Sequence, residues 1–74
     1  MSKFSFVNKK NIQNNNFFLD QDESHHLINV LRLKINSNIW LTDGESGTYY
    51  CKVDTFTDKN IVEGSIVEYY TNQN

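Results

Sequence analysis

A chain of 74 residues can form one small domain but not two. A fold of this size buries only about 60% of the surface that its unfolded chain exposes, so its core is small. The hydrophobic fraction of 38% and the aromatic fraction of 14% exclude an intrinsically disordered segment. The net charge of −2 and the pI of ≈ 5.5 argue against a protein that binds nucleic acid over its whole surface.

The cysteine count and the apolar runs bear on the compartment. Cys51 is the single cysteine of the sequence, so an internal disulfide is excluded. No apolar run approaches the ~20 residues that cross a bilayer, and we identify no secretory leader. We therefore expect a cytoplasmic protein with no membrane partner.

The predicted strands are rich in β-branched and aromatic side chains, and in chain order they are residues 3–7, 17–19, 39–42, 48–56 and 60–69. An asparagine-rich polar loop, to which we assign no function, joins the first two. Asp43 and Gly44 are residue types that tolerate a positive φ in a tight turn between strands. Residues 58–60 form the next turn. Together with one helix, these elements predict a mainly β fold, a small barrel of about five to six strands.

The one predicted helix extends from about residue 21 to residue 31. Leu27, Val30 and Leu31 recur at the spacing of a single apolar helix face. Asp20 and Glu23, three residues apart, are expected to form a capping box at the start of this helix.

A second, polar stripe runs along the same helix through His25, Asn29 and Arg32. The neighbouring His25 and His26 point about 100° apart on a helix, so the two imidazoles do not converge on one metal ion. We therefore predict no metal site. His26 borders the apolar stripe and has a structural role in this interpretation, whereas His25 faces outward.

The aromatic pairs near the end of the chain follow strand alternation. Tyr49 and Tyr50, like Tyr69 and Tyr70, are adjacent on predicted strands, so one ring of each pair should face the core and the other the solvent. An exposed ring can stack on an unpaired base, and Phe4 and Tyr49 are the candidates.

Several segments, taken in order, resemble a known family. They are the Phe-rich first strand KFSFV at 3–7, HHL at 25–27, VLRLK at 30–34, and the strand with its Asp-Gly turn and aromatic residues at 39–50. This order is similar to the N-terminal domain of the RsmE family, bacterial methyltransferases that modify a uridine of 16S ribosomal RNA at N3.

The resemblance implies that residues 1–74 form a PUA-like domain that binds RNA. Family members continue into a SPOUT domain, which holds S-adenosylmethionine and forms their homodimer. No counterpart of that domain is present in these residues, so we expect a monomeric fragment without a cofactor and without methyltransferase activity of its own. Its expected partner is the 16S RNA of the small ribosomal subunit.

The candidate RNA-binding residues are mostly cationic and lie in the first half of the chain; they are Lys3, Phe4, Lys9, Lys10, His25, Arg32 and Lys34. The first 34 residues carry five basic and three acidic side chains, and the remainder carries two basic and six acidic ones. If the fold gathers the cations on one surface, they can contact phosphates. Two simpler interpretations stay open: the two loop lysines are solvated surface residues, and Arg32 interacts with the helix dipole.

Two other classes of function also stay open. The first is a docking module that uses apolar strands to bind a protein and has little RNA affinity of its own; the net negative charge favours it. It predicts binding that is insensitive to salt. The second is an autonomous small enzyme, for which the sequence offers no constellation of catalytic residues and no cofactor motif.

Overall fold

The computed structural model describes residues 4–71, in which six strands form one curled sheet and one helical segment packs against it. The strands are β1 (Ser5–Phe6), β2 (Ile12–Gln13), β3 (Asn16–Phe18), β4 (Asn38–Thr42), β5 (Gly47–Phe56) and β6 (Val62–Thr71). A 3₁₀ turn, Lys9–Asn11, precedes β2, and helix α1 (Gln21–His25) continues into a π-helical turn, His26–Val30. The prediction of a mainly β, barrel-like fold with one helix and five to six strands is confirmed.

The order of strands across the sheet is β1-β4-β5-β6-β3-β2. Only the β1–β4 pair is parallel, and it spans two residues of each strand. The long antiparallel pair β5–β6 forms the centre of the sheet, and its register shifts twice, between Tyr50 and Cys51 and between Val53 and Thr55. Such shifts are β-bulges, which change the face to which the following side chains point.

The core lies on one face of this sheet, under the helical segment. Its buried side chains come from most elements and are Val7, Phe17, Leu19, Leu27, Leu41, Tyr49, Cys51, Val53 and Val62. Ser24 is also fully buried, and its hydroxyl accepts a hydrogen bond from the backbone N–H of Val62 (3.0 Å). This bond fixes α1 to the start of β6.

Gly64 of β6 allows the close packing of the sheet centre. A Cβ at this position would lie 2.0 Å from the carbonyl oxygen of Lys52 and 2.8 Å from the ring of Phe17. The absence of a side chain therefore lets the buried Phe17 ring lie directly against β6.

The asparagine-rich loop contains a hairpin that the sequence analysis did not predict. Asn14 and Asn15 have φ values of 51° and 65°, and they join β2 to β3 as a two-residue turn. A primed hairpin turn requires positive φ at both central residues, and asparagine tolerates it. The predicted strand 17–19 is accordingly observed at Asn16–Phe18, paired on both sides.

The predicted capping box at Asp20 and Glu23 is wrong. Asp20 stands at the N-cap without a side-chain hydrogen bond to the helix, and its Oδ1 accepts instead from the side-chain amide of Asn11 (3.1 Å). Glu23 Oε2 accepts from the backbone N–H of Phe6 (3.3 Å). Both carboxylates thus connect the helix to other segments, and these tertiary contacts replace the local cap.

The turn between β4 and β5 is organised by the buried carboxylate of Asp43. Its Oδ1 accepts from the backbone N–H groups of Glu45 (2.9 Å) and Gly47 (3.1 Å), and its Oδ2 accepts from the hydroxyl of Tyr49 (2.8 Å). Gly44 supplies the positive φ, at 80°, that the turn needs. Tyr49 is therefore a buried anchor of this turn, which corrects its prediction as a ring that stacks on RNA.

Burial alone would raise the pKa of Asp43, but the hydrogen bonds from Glu45, Tyr49 and Gly47 outweigh it and lower that pKa. Burial, and next the hydrogen bond to Asp43, raises the pKa of Tyr49. Because the folded pKa of Asp43 is depressed, its contribution to stability is present above the unfolded value of about 3.9 and is lost as the pH falls through the folded value.

Replacing Tyr49 by phenylalanine should lower the free energy of unfolding at pH 7 by about 1–2 kcal/mol, since one buried carboxylate oxygen loses its donor. The difference from the parent chain should shrink as the pH falls through the folded pKa of Asp43, which lies below the unfolded value of about 3.9. Urea unfolding followed by circular dichroism at several pH values measures both effects. Tyr69→Phe is the matched control, because Tyr69 is exposed. An effect of equal size at neutral and acid pH would contradict the role given to Asp43.

Candidate nucleic-acid interface

A groove of ≈ 390 Å³ opens where the helical segment ends beside the start of β4. We call it the helix-end groove, and its main lining residues are Phe4, Glu23, His26, Leu31, Leu33 and Trp40. The groove lies beside the start of β4, whereas the described residues of β1 pair with Leu41 and Thr42, the last two residues of β4. Among residues 4–71, the first residues of β4 have no strand neighbour on that side.

Arg32 stands between Leu31 and Leu33, which line the groove, and has a left-handed backbone conformation with φ of 58°. The π-helical turn before it closes with a hydrogen bond from the N–H of Leu31 to the carbonyl of His26 (3.2 Å). The N–H of Leu33 then reaches back to the carbonyl of Leu27 (2.9 Å). A helix that ends through a left-handed residue usually has glycine there, because a Cβ is strained in that conformation.

Lys34 begins a tight turn that is fixed to β5. The N–H and the hydroxyl of Ser37 both donate to the carbonyl of Lys34. The carbonyl of Ser37 accepts from the N–H of Val53 (2.9 Å), and the N–H of Asn36 donates to the carbonyl of Val53 (2.8 Å). The backbone of Lys34 is therefore held close to the part of β5 that contains Lys52.

Lys52 is a third cation at this end of the sheet. It is exposed and pairs in register with Asn38, the first residue of β4. Lys52 was not among the predicted residues, because a single lysine on a strand has no distinguishing local pattern. The cross-strand register reveals its position, since directly opposed residues share one face of a sheet. Within residues 4–71 neither Arg32, Lys34 nor Lys52 forms an ion pair.

The two loop lysines lie elsewhere. Lys9 Nζ is 3.2 Å from Glu45 Oε1, in the turn that follows β4. The hydrogen bond to Glu45 and the charge of that carboxylate raise the pKa of Lys9. Lys10 is exposed in the same 3₁₀ turn. The pair thus lies towards the far end of the β4–β5 hairpin from Lys52, so the structure does not gather all predicted cations on one surface.

The other predicted RNA-binding residues are Phe4, Lys3 and His25. Phe4 lines the groove and is 48% exposed, whereas Lys3 lies outside the described residues. His25 is exposed, and its Nδ1 accepts from the side-chain amide of Asn29 (3.0 Å), which holds both groups on the outer helix surface. His26, predicted to be structural, lines the groove.

The prediction for the tyrosine pairs holds for one pair only. Tyr49 is buried and Tyr50 lies on the opposite face, but Tyr69 and Tyr70 are both exposed, at 53% and 45%. Tyr69 does face the core side, where its ring centroid is 5.0 Å from that of Tyr49, but it lies at the open end of the sheet.

Residues 4–71 contain no cluster of three or more side chains suited to hold a metal ion. No helix in this part of the chain has both the length and the apolar composition needed to cross a membrane. Burial raises the pKa of the Cys51 thiol to about 12, so it stays protonated and is a poor nucleophile.

Comparison with known proteins identifies relatives of this fold. Residues 19–66 match a family model described as the RNA methyltransferase PUA domain. No curated protein matches the chain significantly. A predicted RNA methyltransferase from Thermotoga maritima is 27% identical with a TM-score of 0.78, and the match covers 95% of this chain and 31% of that one.

Two further solved structures are similar. For a probable rRNA methyltransferase from Porphyromonas gingivalis, the identity is 25%, the TM-score 0.74, and the coverage 92% of this chain and 27% of that one. For the ribosomal RNA small subunit methyltransferase E from Neisseria gonorrhoeae, bound to S-adenosyl methionine, these values are 24%, 0.69, 97% and 30%. At that identity the last likeness shows the fold alone. The chain spans less than a third of each of these three proteins.

Replacing Arg32 by glycine should raise the free energy of unfolding by about 1 kcal/mol, because glycine adopts the left-handed conformation without strain. Arg32→Ala is the matched control: it removes the same guanidinium but keeps the Cβ, so no such gain is expected. Urea unfolding of the three proteins, monitored by Trp40 fluorescence, gives the comparison. Equal stability of the glycine and alanine variants would show that position 32 is not strained.

Proposed function

We propose that this chain, which belongs to the RNA methyltransferase PUA domain family, binds an RNA strand at the helix-end groove. The observation that carries the proposal is the position of three cations next to residues that line a largely apolar groove, which also contains the carboxylate of Glu23. Arg32 stands between the lining residues Leu31 and Leu33, Lys34 follows Leu33, and Lys52 pairs with the lining residue Asn38. Cations that have no carboxylate partner are available to phosphates, and aromatic walls are available to bases.

The position of Arg32 supports a role for its side chain. A left-handed residue at the end of a helix favours glycine, so an arginine there has a cost in stability. Its guanidinium presents a planar set of donors that fits two phosphate oxygens at once. A functional contact explains why such a residue stands in a strained conformation.

The charge distribution sets the strength of this binding. Three available cations give a salt slope of roughly −2 for a single strand, because each phosphate contact contributes about 0.7. The net charge of −2 keeps the rest of the surface from adding to this attraction. The domain in this proposal holds RNA weakly and in a defined place, and such contacts position a strand more than they read its sequence.

The finer proposal concerns the substrate. We propose that the RNA is 16S ribosomal RNA in the small subunit and that the enzyme methylates a uridine at N3 in the cytoplasm. The 25% identical structure, named a probable rRNA methyltransferase, supports a ribosomal RNA substrate, and the shared fold with a ribosomal RNA small subunit methyltransferase E is the ground for proposing 16S RNA. The chain corresponds to under a third of such a protein, so the methyl transfer and any dimer contacts belong to the other part. The domain would deliver RNA to that part.

A second candidate, a protein-docking module, is supported by the apolar surface at the helix end. Val30, Leu31 and Ile35 are all exposed large aliphatic side chains in neighbouring positions. An exposed aliphatic cluster of this kind suits contact with another protein surface. In that case the binding should depend little on salt.

Titration with a small-subunit rRNA hairpin, followed by backbone amide NMR shifts at low and moderate salt, tests the proposal. The shifts should cluster at Arg32, Lys34 and Lys52 and weaken as salt rises. The double variant Arg32→Ala, Lys34→Ala should lose roughly tenfold or more in affinity at low salt and should reduce the salt slope by about 1 to 1.5.

The control removes two cations at the other end of the hairpin, through Lys9→Ala and Lys10→Ala. This variant has the same net charge as the groove variant, so it should show only the small loss due to overall charge. Equal losses in the two variants would mean that binding is not localised at the groove. An absence of shifts with any RNA at low salt would refute RNA binding and leave the docking module.

A further inference from the structure

Four aromatic rings lie together on the face of the sheet opposite the core, with Trp40 in contact with each of the other three. We call this group the aromatic ladder, and its members are Phe4, Trp40, Tyr50 and Tyr70. The ring centroids of Phe4 and Trp40 are 5.8 Å apart, those of Trp40 and Tyr50 4.8 Å, and those of Trp40 and Tyr70 5.9 Å. Phe4 and Tyr70 are 48% and 45% exposed.

The strand register places these rings side by side. Trp40 of β4 and Tyr50 of β5 are directly opposed, and Tyr70 of β6 pairs with Thr48, two residues along β5 from Tyr50. The register shift after Tyr50 puts Tyr70 on this face, because regular alternation from the inward-facing Ile66 would turn Tyr70 towards the core. A bulge therefore completes the ladder.

Cross-strand aromatic contacts stabilise a sheet by themselves, so the ladder has a structural role. Its exposure exceeds what that role requires, since Phe4 and Tyr70 leave about half of their surface in solvent. Rings exposed on a sheet surface provide the arrangement on which successive unpaired bases stack in proteins that bind single strands.

The surroundings of the ladder favour a nucleic acid over a protein as its occupant. Lys52 lies on the same face, two residues along β5 from Tyr50. Glu68 lies opposite Tyr50 and accepts a hydrogen bond from the hydroxyl of Tyr70. The face is thus aromatic and interrupted by polar groups, whereas a protein interface has an apolar centre that lacks charge. Lys52, at one end of the ladder, can contact a phosphate.

The ladder is also continuous with the proposed RNA site, because Phe4 and Trp40 line the helix-end groove. We infer that the aromatic ladder is a stacking platform for a short run of unpaired RNA bases, whose phosphates are held by Arg32, Lys34 and Lys52. This inference rests on the proposed function and adds to it the kind of RNA that the domain prefers: a single strand, such as a loop or a strand opened from a helix.

The single tryptophan of the sequence, Trp40, gives a direct test. The chain is titrated with an oligouridylate of about ten nucleotides, within the range of sites used by single-strand-binding folds. Stacking of bases on the ladder should quench the Trp40 emission in a saturable way. A fully paired RNA duplex of similar length should bind more weakly and quench less, because its bases are not available.

Tyr70→Leu and Tyr69→Leu form the matched pair of variants. The two tyrosines are neighbours in β6 with similar exposure, but Tyr69 is on the core side of the sheet. Tyr70→Leu should weaken binding of the oligouridylate at least fivefold, about the lower end of what one stacked base contributes. It should leave the salt slope unchanged, since no phosphate contact is lost. Tyr69→Leu should bind like the parent chain.

The outcomes separate this inference from the proposed function. Salt-sensitive binding at Arg32 and Lys34 with no change in Trp40 emission, and with equal affinities of the two tyrosine variants, would overturn the stacking platform and leave RNA binding intact. An absence of binding to every RNA would overturn both. If either tyrosine variant does not fold, the comparison of quenching by the oligouridylate and by the duplex, both measured with the parent chain, still decides the question.

Discussion

The pairing of β5 with β6 is the constraint on which the rest of this structure depends. These two strands of ten residues each form the centre of the sheet; β4 and β3 pair with their outer edges, and β1 and β2 follow on each side. The register shift between Tyr50 and Cys51 determines which side chains of β6 lie on each face beyond Ile66. Because one inserted residue reverses the alternation, the same strand contributes Val62 to the core and Tyr70 to the outer face.

The second determinant is the way in which the helical segment is attached to this hairpin. The buried hydroxyl of Ser24 bonds to the N–H of Val62, and Leu27 packs into the core beside it. The segment then widens into a π-helical turn and ends at the left-handed Arg32. In a π-helical turn the backbone hydrogen bond spans one residue more than in an α-helix, and such turns often occur at functional sites. Here the turn precedes Leu31, which lines the groove, and the left-handed Arg32.

Much of this fold was predictable, because its strongest signals are local. The apolar periodicity gave a helix from about 21 to 31, observed at Gln21–Val30, and the two long strands were placed within two residues of their ends. The resemblance to the RsmE family, carried by short motifs around the helix and the Asp43 turn, is confirmed by the family match over residues 19–66.

The incorrect or missing predictions share one cause: these features are determined by contacts between residues that are distant in sequence. Asp20 and Glu23 have the spacing of a capping box, but Asn11 and the backbone of Phe6 compete for their carboxylates. Tyr70 faces outward only because of a bulge, and Lys52 is recognisable only from its pairing partner. Strand register and bulges depend on residues distant in sequence, so a local pattern does not reveal them. The β2–β3 turn is the exception. Its two residues, Asn14 and Asn15, both have positive φ, and adjacent asparagines are a local sequence signal for such a turn.

The small number of available cations explains why aromatic residues matter for the proposed RNA binding. Electrostatic attraction from three side chains is weak at moderate salt, and the net charge of −2 weakens it further. Base stacking, in contrast, does not depend on counterion release and is hardly affected by salt. A domain with few cations and an exposed group of rings therefore gains affinity mainly where bases are unpaired. Such a domain discriminates by RNA structure, because a regular duplex offers it phosphates but no free base faces.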